Sequence, residues 1–218
     1  MTGLWIALAA AALPLCGAQN GTELPPIALY TEFVAVPPAA VLEAMQSEVE
    51  SIMAPMGLKF QWRELAEADG KHVSVELAVI NFKGRCDIAG LLPRDQNPGP
   101  LGWTHISNGV ILPFANVDCS AVRGFIQREL MDTRTDVRAA TFGRALGRVL
   151  AHELYHIFAN TTRHGAEGVA REFYSVRDLL TRDFQFEAKE SRALLNSKVH
   201  AALVASPALV VDDAEHRN

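Results

Sequence analysis

The sequence lacks both the long apolar run of a membrane span and the basic excess of a nucleic-acid-binding protein. Charged residues make up 21% of the 218 residues, the net charge is −5, and 49% are hydrophobic, which excludes a disordered chain and suffices for one sizeable core. Acidic residues interrupt the arginines between Arg123 and Arg148, which predicts a solvated helix face. We therefore expect a globular protein with no nucleic-acid partner.

The most conspicuous apolar segment is short and lies at the amino terminus. Residues 4–15 are too few to span a bilayer as a helix but have the length of a signal-peptide core, and small residues precede a cleavage point after Ala18. No Lys or Arg precedes the segment, so an apolar first helix of the folded domain is the alternative. The pattern predicts a signal peptide at 1–18 and a secreted or periplasmic protein, with no stable membrane insertion after cleavage.

Cysteine is scarce, and its three positions divide between the leader and the mature chain. Cys16 lies in the leader, where lipid attachment is less well supported because Pro14 and Leu15 replace the small residues of a lipobox. Cys86 and Cys119 remain as an even pair, for which an oxidising compartment predicts one disulfide. Two buried free thiols are the alternative.

Hydrophobic periodicity predicts a mixed succession of strands and helices in a domain covering 19–205, followed by a polar tail at 206–218. The proline-flanked start reads as an extended lead-in, and Asn108-Gly109 is a strong hairpin signal. The segment 118–135 gives no clear assignment, whereas Ser175-Val176-Arg177-Asp178 resembles a capping box with Asp in place of Glu. The predicted elements are a lead-in at 19–38, a helix at 39–56, strands at 58–64, 73–82, 101–106 and 110–114, and helices at 136–160, 175–180 and 186–203.

The helix at 136–160 carries the strongest helical pattern of the chain. Gly143, Gly147 and Ala151 recur every four residues and form a stripe of small side chains on one face. Each glycine costs roughly 1 kcal/mol against alanine in a helix, so close packing against another element is the expected compensation.

The same helix contains His152-Glu153-Leu154-Tyr155-His156, a pattern of the type HExxH. Histidines at i and i+4 share one helix face, so both imidazoles can bind one zinc ion. Glu153 is then the candidate catalytic residue, a general base that takes a proton from the attacking water. The alternative is a helix whose two histidines bind no metal.

Two histidines leave a catalytic zinc site incomplete, since such sites take three protein ligands. His164 is the best third candidate because a turn at 161–163 can carry the chain back toward the helix, and Glu172 and Asp178 are its rivals. We expect the remaining histidines to be polar surface residues: His72, His105, His200 and His216.

The stretch from Ala140 to Leu195 resembles the active-site region of metzincin-like zinc peptidases, in particular an exported bacterial group with a longer spacing before the third histidine, and residues 143–153 fit the active-site helix of that group closely. His164 aligns with that third ligand. The resemblance covers about a quarter of the chain. It implies an α/β (α+β) zincin-like domain: a twisted mixed sheet of four to five strands, N-terminal and active-site helices, and a small helical C-terminal part. It also implies a zinc metalloendopeptidase acting on a peptide or protein, which an exposed strand at 101–106 could bind by backbone pairing.

The sequence departs from the metzincin pattern near the metal. Ala159 and Asn160 occupy the region of the usual turn glycine, Thr162 stands at the usual third-ligand position, and Ala170 replaces the methionine below the metal. These departures motivate an alternative function, that of a catalytically degenerate binding protein with a zincin fold. A third interpretation is a structural metal site, in which no coordination position is open. The phenol of Tyr174 could donate a hydrogen bond to an oxyanion, and the alternative is that this side chain packs in the core.

Overall fold

The computed structural model describes residues 24–91 and 99–206, so the signal-peptide prediction and nearly all of the predicted tail lie outside the described residues. None of the described helices is long and apolar enough to cross a membrane. The strands are β1 (Ile27–Phe33), β2 (Phe60–Glu64), β3 (Leu77–Lys83), β4 (Gly102–Ser107) and β5 (Val110–Asp118). The α-helices are α1 (Ala39–Met53), α2 (Cys119–Asp132), α3 (Thr135–Phe158), α4 (Val176–Leu180), α5 (Ala188–Leu195) and α6 (Lys198–Ala205).

One five-stranded mixed sheet organises the fold, in the order β2-β1-β3-β5-β4. Four strands run parallel, and β4 alone is antiparallel, as the first arm of a hairpin with β5. Asn108 and Gly109 both have positive φ (50° and 77°), as the tightest hairpin turns require. The predicted α/β class, the strand count and the hairpin are confirmed, and β4 is an edge strand.

Strand β1 was missed within the predicted lead-in. It is flanked by β2 and β3, and Ile27, Ala28 and Leu29 are fully buried in succession. A strand inside a parallel sheet need not alternate apolar and polar residues, so the pattern expected of a half-buried strand is missing here. The predicted start of β3 at Val73 is also wrong: the strand begins at Leu77, where pairing with β1 begins, and Val73 is 83% exposed.

The glycine stripe of α3 lies directly against α1, as its spacing predicted. A Cβ atom at Gly143 would lie 2.3 Å from the carbonyl oxygen of Val41, and one at Gly147 would lie 2.7 Å from that of Met45. Neither backbone carbonyl can turn away as a side chain can. Hence the two glycines let the helices approach closely and fix where α3 lies.

The prediction of a solvated arginine face is wrong at Arg148, which is 1% exposed. Its guanidinium donates to Glu48 Oε1 on α1 at 2.6 Å, and to the carbonyl oxygens of Asp178 and Thr181 at 2.9 and 2.7 Å. It also lies 4.7 Å from the centre of the Phe184 ring. A buried charge needs such partners, and these tie α3 to α1 and to the C-terminal part.

The segment left unassigned before α3 forms α2. The Asp118 carboxylate accepts a hydrogen bond from the backbone N–H of Ala121 at 2.9 Å and caps the helix. The next residue, Cys119, forms the predicted disulfide with Cys86, across 33 positions of the sequence. The bridge joins the start of α2 to the loop that follows β3.

The C-terminal part is small and helical, as predicted. Its capping box at Ser175 and Asp178 is confirmed, with both reciprocal hydrogen bonds present. The single helix predicted at 186–203 is instead two helices, because Ser197 interrupts it and accepts a hydrogen bond from the backbone N–H of His200 at 3.1 Å. This part packs beneath the end of α3 that carries the HExxH pattern.

Candidate metal centre

The second half of α3 presents His152 and His156 one turn apart on the same face. Both side chains belong to nearly buried residues, each 8% exposed, and their Nε2 atoms lie 3.0 Å from one another. Two nitrogens at that separation can both lie about 2.0–2.1 Å from a single ion. The helical spacing predicted this pair, and the structure places it as expected.

The orientation of both rings is set by backbone carbonyl groups. Nδ1 of His152 lies 2.8 Å from the carbonyl oxygen of Val169, and Nδ1 of His156 lies 2.7 Å from that of Thr161. A carbonyl oxygen only accepts, so each Nδ1 carries the hydrogen and each Nε2 keeps its lone pair. Two lone pairs facing each other at 3.0 Å repel unless a cation lies between them. This donor arrangement fits a bound metal ion.

The surroundings of His152 and His156 also favour the neutral form of both imidazoles. Burial, and next the charge of the neighbouring His156, lower the pKa of His152 to about 3. Burial likewise lowers the pKa of His156, against the opposing effect of its hydrogen bond to the Thr161 carbonyl. At neutral pH both rings therefore offer a lone pair to a metal.

His164 joins the pair, as predicted. Its ring centre lies 5.3 Å from that of His152 and 4.9 Å from that of His156, and the candidate ligand atoms of all three lie within 4.8 Å of one another. His164 is exposed, whereas the two helical histidines are buried. Within the described residues this is the one group of three or more His, Cys, Asp or Glu side chains close enough to hold a metal ion.

The return of the chain to His164 begins at the end of α3. Asn160 has a left-handed conformation (φ 48°), and the backbone N–H of Thr161 donates to the carbonyl of His156 at 3.1 Å. Asparagine tolerates this conformation better than most residues, so it ends the helix as glycine commonly does. The absent turn glycine is thus replaced by Asn160, a signal that the sequence contained.

The two other candidates for the third metal ligand do not join His152 and His156. The Asp178 carboxylate accepts hydrogen bonds from the backbone N–H and hydroxyl of Ser175 and pairs with Arg171 at 3.1 Å. Glu172 is exposed and lines the same cavity, but it is not part of the three-histidine group. The geometry favours His164 among the three candidates.

A tight turn at Gly168–Ala170 forms the floor beneath His152. Gly168 has φ 65°, and a Cβ atom there would lie 2.2 Å from the carbonyl oxygen of Gln185, so only glycine fits. Val169 and Ala170 are fully buried. Ala170 stands where the resemblance implies methionine, and the floor is held instead by its backbone: the Ala170 carbonyl accepts from Gly165 N–H at 2.8 Å.

Tyr174 lies beside His152 and contacts the same backbone carbonyl group. Its hydroxyl donates to the Val169 carbonyl and lies 3.1 Å from Nδ1 of His152. Burial, and next the charge of Glu153, raise the pKa of Tyr174 well above its usual range, so the phenol stays protonated and can donate. The sequence allowed an oxyanion donor or core packing for this residue, whereas the observed contact is with Nδ1 of His152, a candidate metal ligand, and supports its tautomer.

Glu153 adjoins the histidines and is 5% exposed. Burial raises the pKa of its carboxyl to about 7, and a hydrogen bond from the Thr104 hydroxyl to Oε2 at 2.8 Å opposes that rise. The carboxyl therefore lies in the range where it can both accept and release a proton near neutral pH.

A cavity of about 650 Å³ opens over these residues. One wall is strand β4, and another is the segment that leads into α4. Its volume is that of a pocket that holds a small molecule or a short stretch of peptide. The lining is largely apolar away from the histidines and includes Trp103, Ile106, Ile111, Phe125, Val149 and Phe173.

The histidines outside the candidate centre do not join it. His105 contacts the Asn116 side chain on the neighbouring strand, His72 lies 3.3 Å from Asp69, and His200 lies on α6. His216 falls outside the described residues.

The sequence matches no model of a protein family, and no curated protein sequence matches it. The role of the three histidines, Glu153 and the cavity is therefore inferred from their chemistry and geometry.

Proposed function

We propose that the protein is a zinc-dependent peptidase of the zincin type, with His152, His156 and His164 as the metal ligands. The observation that carries this proposal is the pair of Nε2 atoms 3.0 Å apart, with His164 beside them and both Nδ1 atoms bound to carbonyl groups. Three neutral imidazoles are a donor set that zinc favours, and three protein ligands are typical of catalytic zinc. When bound, zinc would act as a Lewis acid that acidifies a water molecule and polarises the carbonyl under attack.

Glu153 is the residue that we propose moves the proton. Its carboxylate takes a proton from the attacking water, whose oxygen forms the new bond to the carbonyl carbon. As the C–N bond breaks, the carboxyl group returns that proton to the leaving nitrogen. The position of Glu153 beside His152, facing the cavity, supports this role.

Strand β4 supports a peptide as the substrate. It is the edge of the sheet, pairs with β5 on one side, and its residues Gly102–Thr104 and Ile106 line the cavity. An extended peptide can pair with a free strand edge through its backbone, and thereby pass the histidines. The disulfide is compatible with export to an oxidising compartment, which we propose as the location.

Hydrolysis is tested with a library of unstructured peptides, digested by the zinc-loaded protein and analysed by mass spectrometry. We expect reproducible cleavage that stops when a chelator is added and resumes with zinc. The matched variant is Glu153→Ala, which should retain zinc and lose cleavage. Equal cleavage by this variant would remove Glu153 from the mechanism.

A second function is favoured by one observation, Ala170 in place of the methionine that the resemblance implies below the metal. A zincin-fold protein that has lost hydrolysis would bind a partner in the same cavity. The two functions separate in the library digestion, because the binding protein would leave every peptide intact while still binding zinc.

A further inference from the structure

Strand β4 touches the carboxyl group of Glu153 at two points on the same face. A Cβ atom on Gly102 would lie 2.9 Å from Oε1 of Glu153 and 3.0 Å from the Asn116 carbonyl oxygen, so only glycine leaves room for the carboxyl group there. Two residues later, the hydroxyl of Thr104 donates to Oε2 at 2.8 Å. Both carboxyl oxygens are thereby located against the same strand.

The hydroxyl of Thr104 has one hydrogen to donate and two acceptors within reach. The backbone carbonyl oxygen of Glu153 lies 3.2 Å away and Oε2 lies 2.8 Å away, so the carboxylate is the closer partner. A hydrogen bond to an ionised carboxylate is also the stronger of the two. The side chain of Thr104 is β-branched, which restricts its rotation and keeps the hydroxyl in place.

The strand is irregular at this point. The pairing of β4 with β5 shifts register between Thr104 and Ile106, as a β-bulge does. Bulges occur at sheet edges and beside active sites, where they redirect a side chain. Here the irregularity follows directly after the residue whose hydroxyl meets Glu153.

We propose that Thr104 is a positioning residue, which holds Oε2 of Glu153 so that the carboxylate faces the reacting water. This inference rests on the proposed function and deepens it. Strand β4, which would pair with the peptide, also holds the general base, so one element sets the distance between the two. A shift in the position of a reacting group by about 1 Å can lower the rate roughly 100-fold, which is why such support matters.

Two substitutions separate this role from a structural one. Thr104→Val keeps the branched shape and removes the hydroxyl, whereas Thr104→Ser keeps the hydroxyl. With the best peptide from the library, we expect Thr104→Val to lower kcat by roughly 10- to 100-fold with little change in KM or zinc content. Thr104→Ser should recover most of the loss. Unchanged kcat in the valine variant, or equal loss in both variants, would overturn the proposal.

A second measurement needs no hydrolysis and tests the contact of Thr104 with Glu153 independently of the proposed function. In metal-free protein labelled with ¹³C at glutamate carboxyl groups, the Glu153 resonance is identified by its absence in Glu153→Gln. At one fixed pH we expect this resonance to move in Thr104→Val and to stay near its original position in Thr104→Ser. The same position in all three proteins would show that the hydroxyl does not hold the carboxyl group, whether or not the protein cleaves peptides.

Discussion

At the scale of single residues, the site depends on groups that are not themselves candidate metal ligands. Val169 and Thr161 supply carbonyl oxygens that fix the tautomers of His152 and His156. Sequence spacing predicted the histidines but not these acceptors, because a backbone carbonyl belongs to every residue and its direction depends on the fold. The same limit applies to Thr104, whose contact with Glu153 spans 49 positions of the sequence.

Tyr174→Phe tests the support behind His152. The variant loses the hydroxyl that donates to the Val169 carbonyl and lies 3.1 Å from Nδ1 of His152. We expect roughly tenfold weaker zinc binding, as is typical when a group behind a metal ligand is lost, measured by competition with a chromogenic chelator. Tyr30→Phe, on strand β1, is the matched control and should bind zinc as the unsubstituted protein does. Equal affinity in both variants would show that Tyr174 serves packing alone.

At the scale of elements, the sequence predicted best the parts whose pattern is local. The helix of the HExxH pattern, the hairpin at Asn108-Gly109 and the capping box at Ser175 each follow from neighbouring residues. Strand β1 and helix α2 escaped prediction for different reasons. The first is an interior strand and lacks the pattern of a half-buried one, and the second was not recognised as a helix although Asp118 caps it. Arg148 was misread since its partner Glu48 lies 100 positions away.

Gly143→Ala tests the close contact of α1 with α3. A methyl group there meets the Val41 carbonyl oxygen at 2.3 Å, which is backbone and cannot rotate aside. The intrinsic gain in helix propensity of about 1 kcal/mol is therefore outweighed, and we expect the free energy of unfolding to fall by about 1–3 kcal/mol. Chemical denaturation measures it.

The control for that variant is Gly99→Ala, because a Cβ atom at Gly99 meets nothing within 4 Å. Its stability should stay within about 0.5 kcal/mol of the original. If Gly143→Ala proved more stable than the original protein, the helices would be able to move apart, and α1 would not fix the position of α3.

At the scale of the whole molecule, the fold brings the centre together from distant parts of one chain. α3 provides two histidines, the segment after it provides the third, the turn at Gly168–Ala170 provides the floor, and β4 provides a wall. The predicted sheet and helices position these parts, and the predicted HExxH pattern lies where they meet. The assembly predicts one metal ion for each chain.

The disulfide is a whole-molecule constraint, since it closes a loop of 33 positions between the sheet and α2. Replacing Cys86 and Cys119 by serine should lower the free energy of unfolding by about 3–4 kcal/mol in the chain-entropy model. Thiol titration of the protein lacking residues 1–18, denatured without reductant, should find no free thiol. Two free thiols in protein secreted by an expression host would contradict the bridge.

The most direct test of the three-histidine centre is the zinc content of the purified protein beside that of His164→Ala, by elemental analysis after dialysis. We predict about one zinc ion for each chain in the original protein and a large loss in the variant, since two histidines alone hold the metal weakly. His200→Ala, on helix α6, is the matched control and should keep its zinc. Absence of zinc from the original protein after metal loading would contradict the account, and zinc retained by His164→Ala would assign the third ligand to another residue.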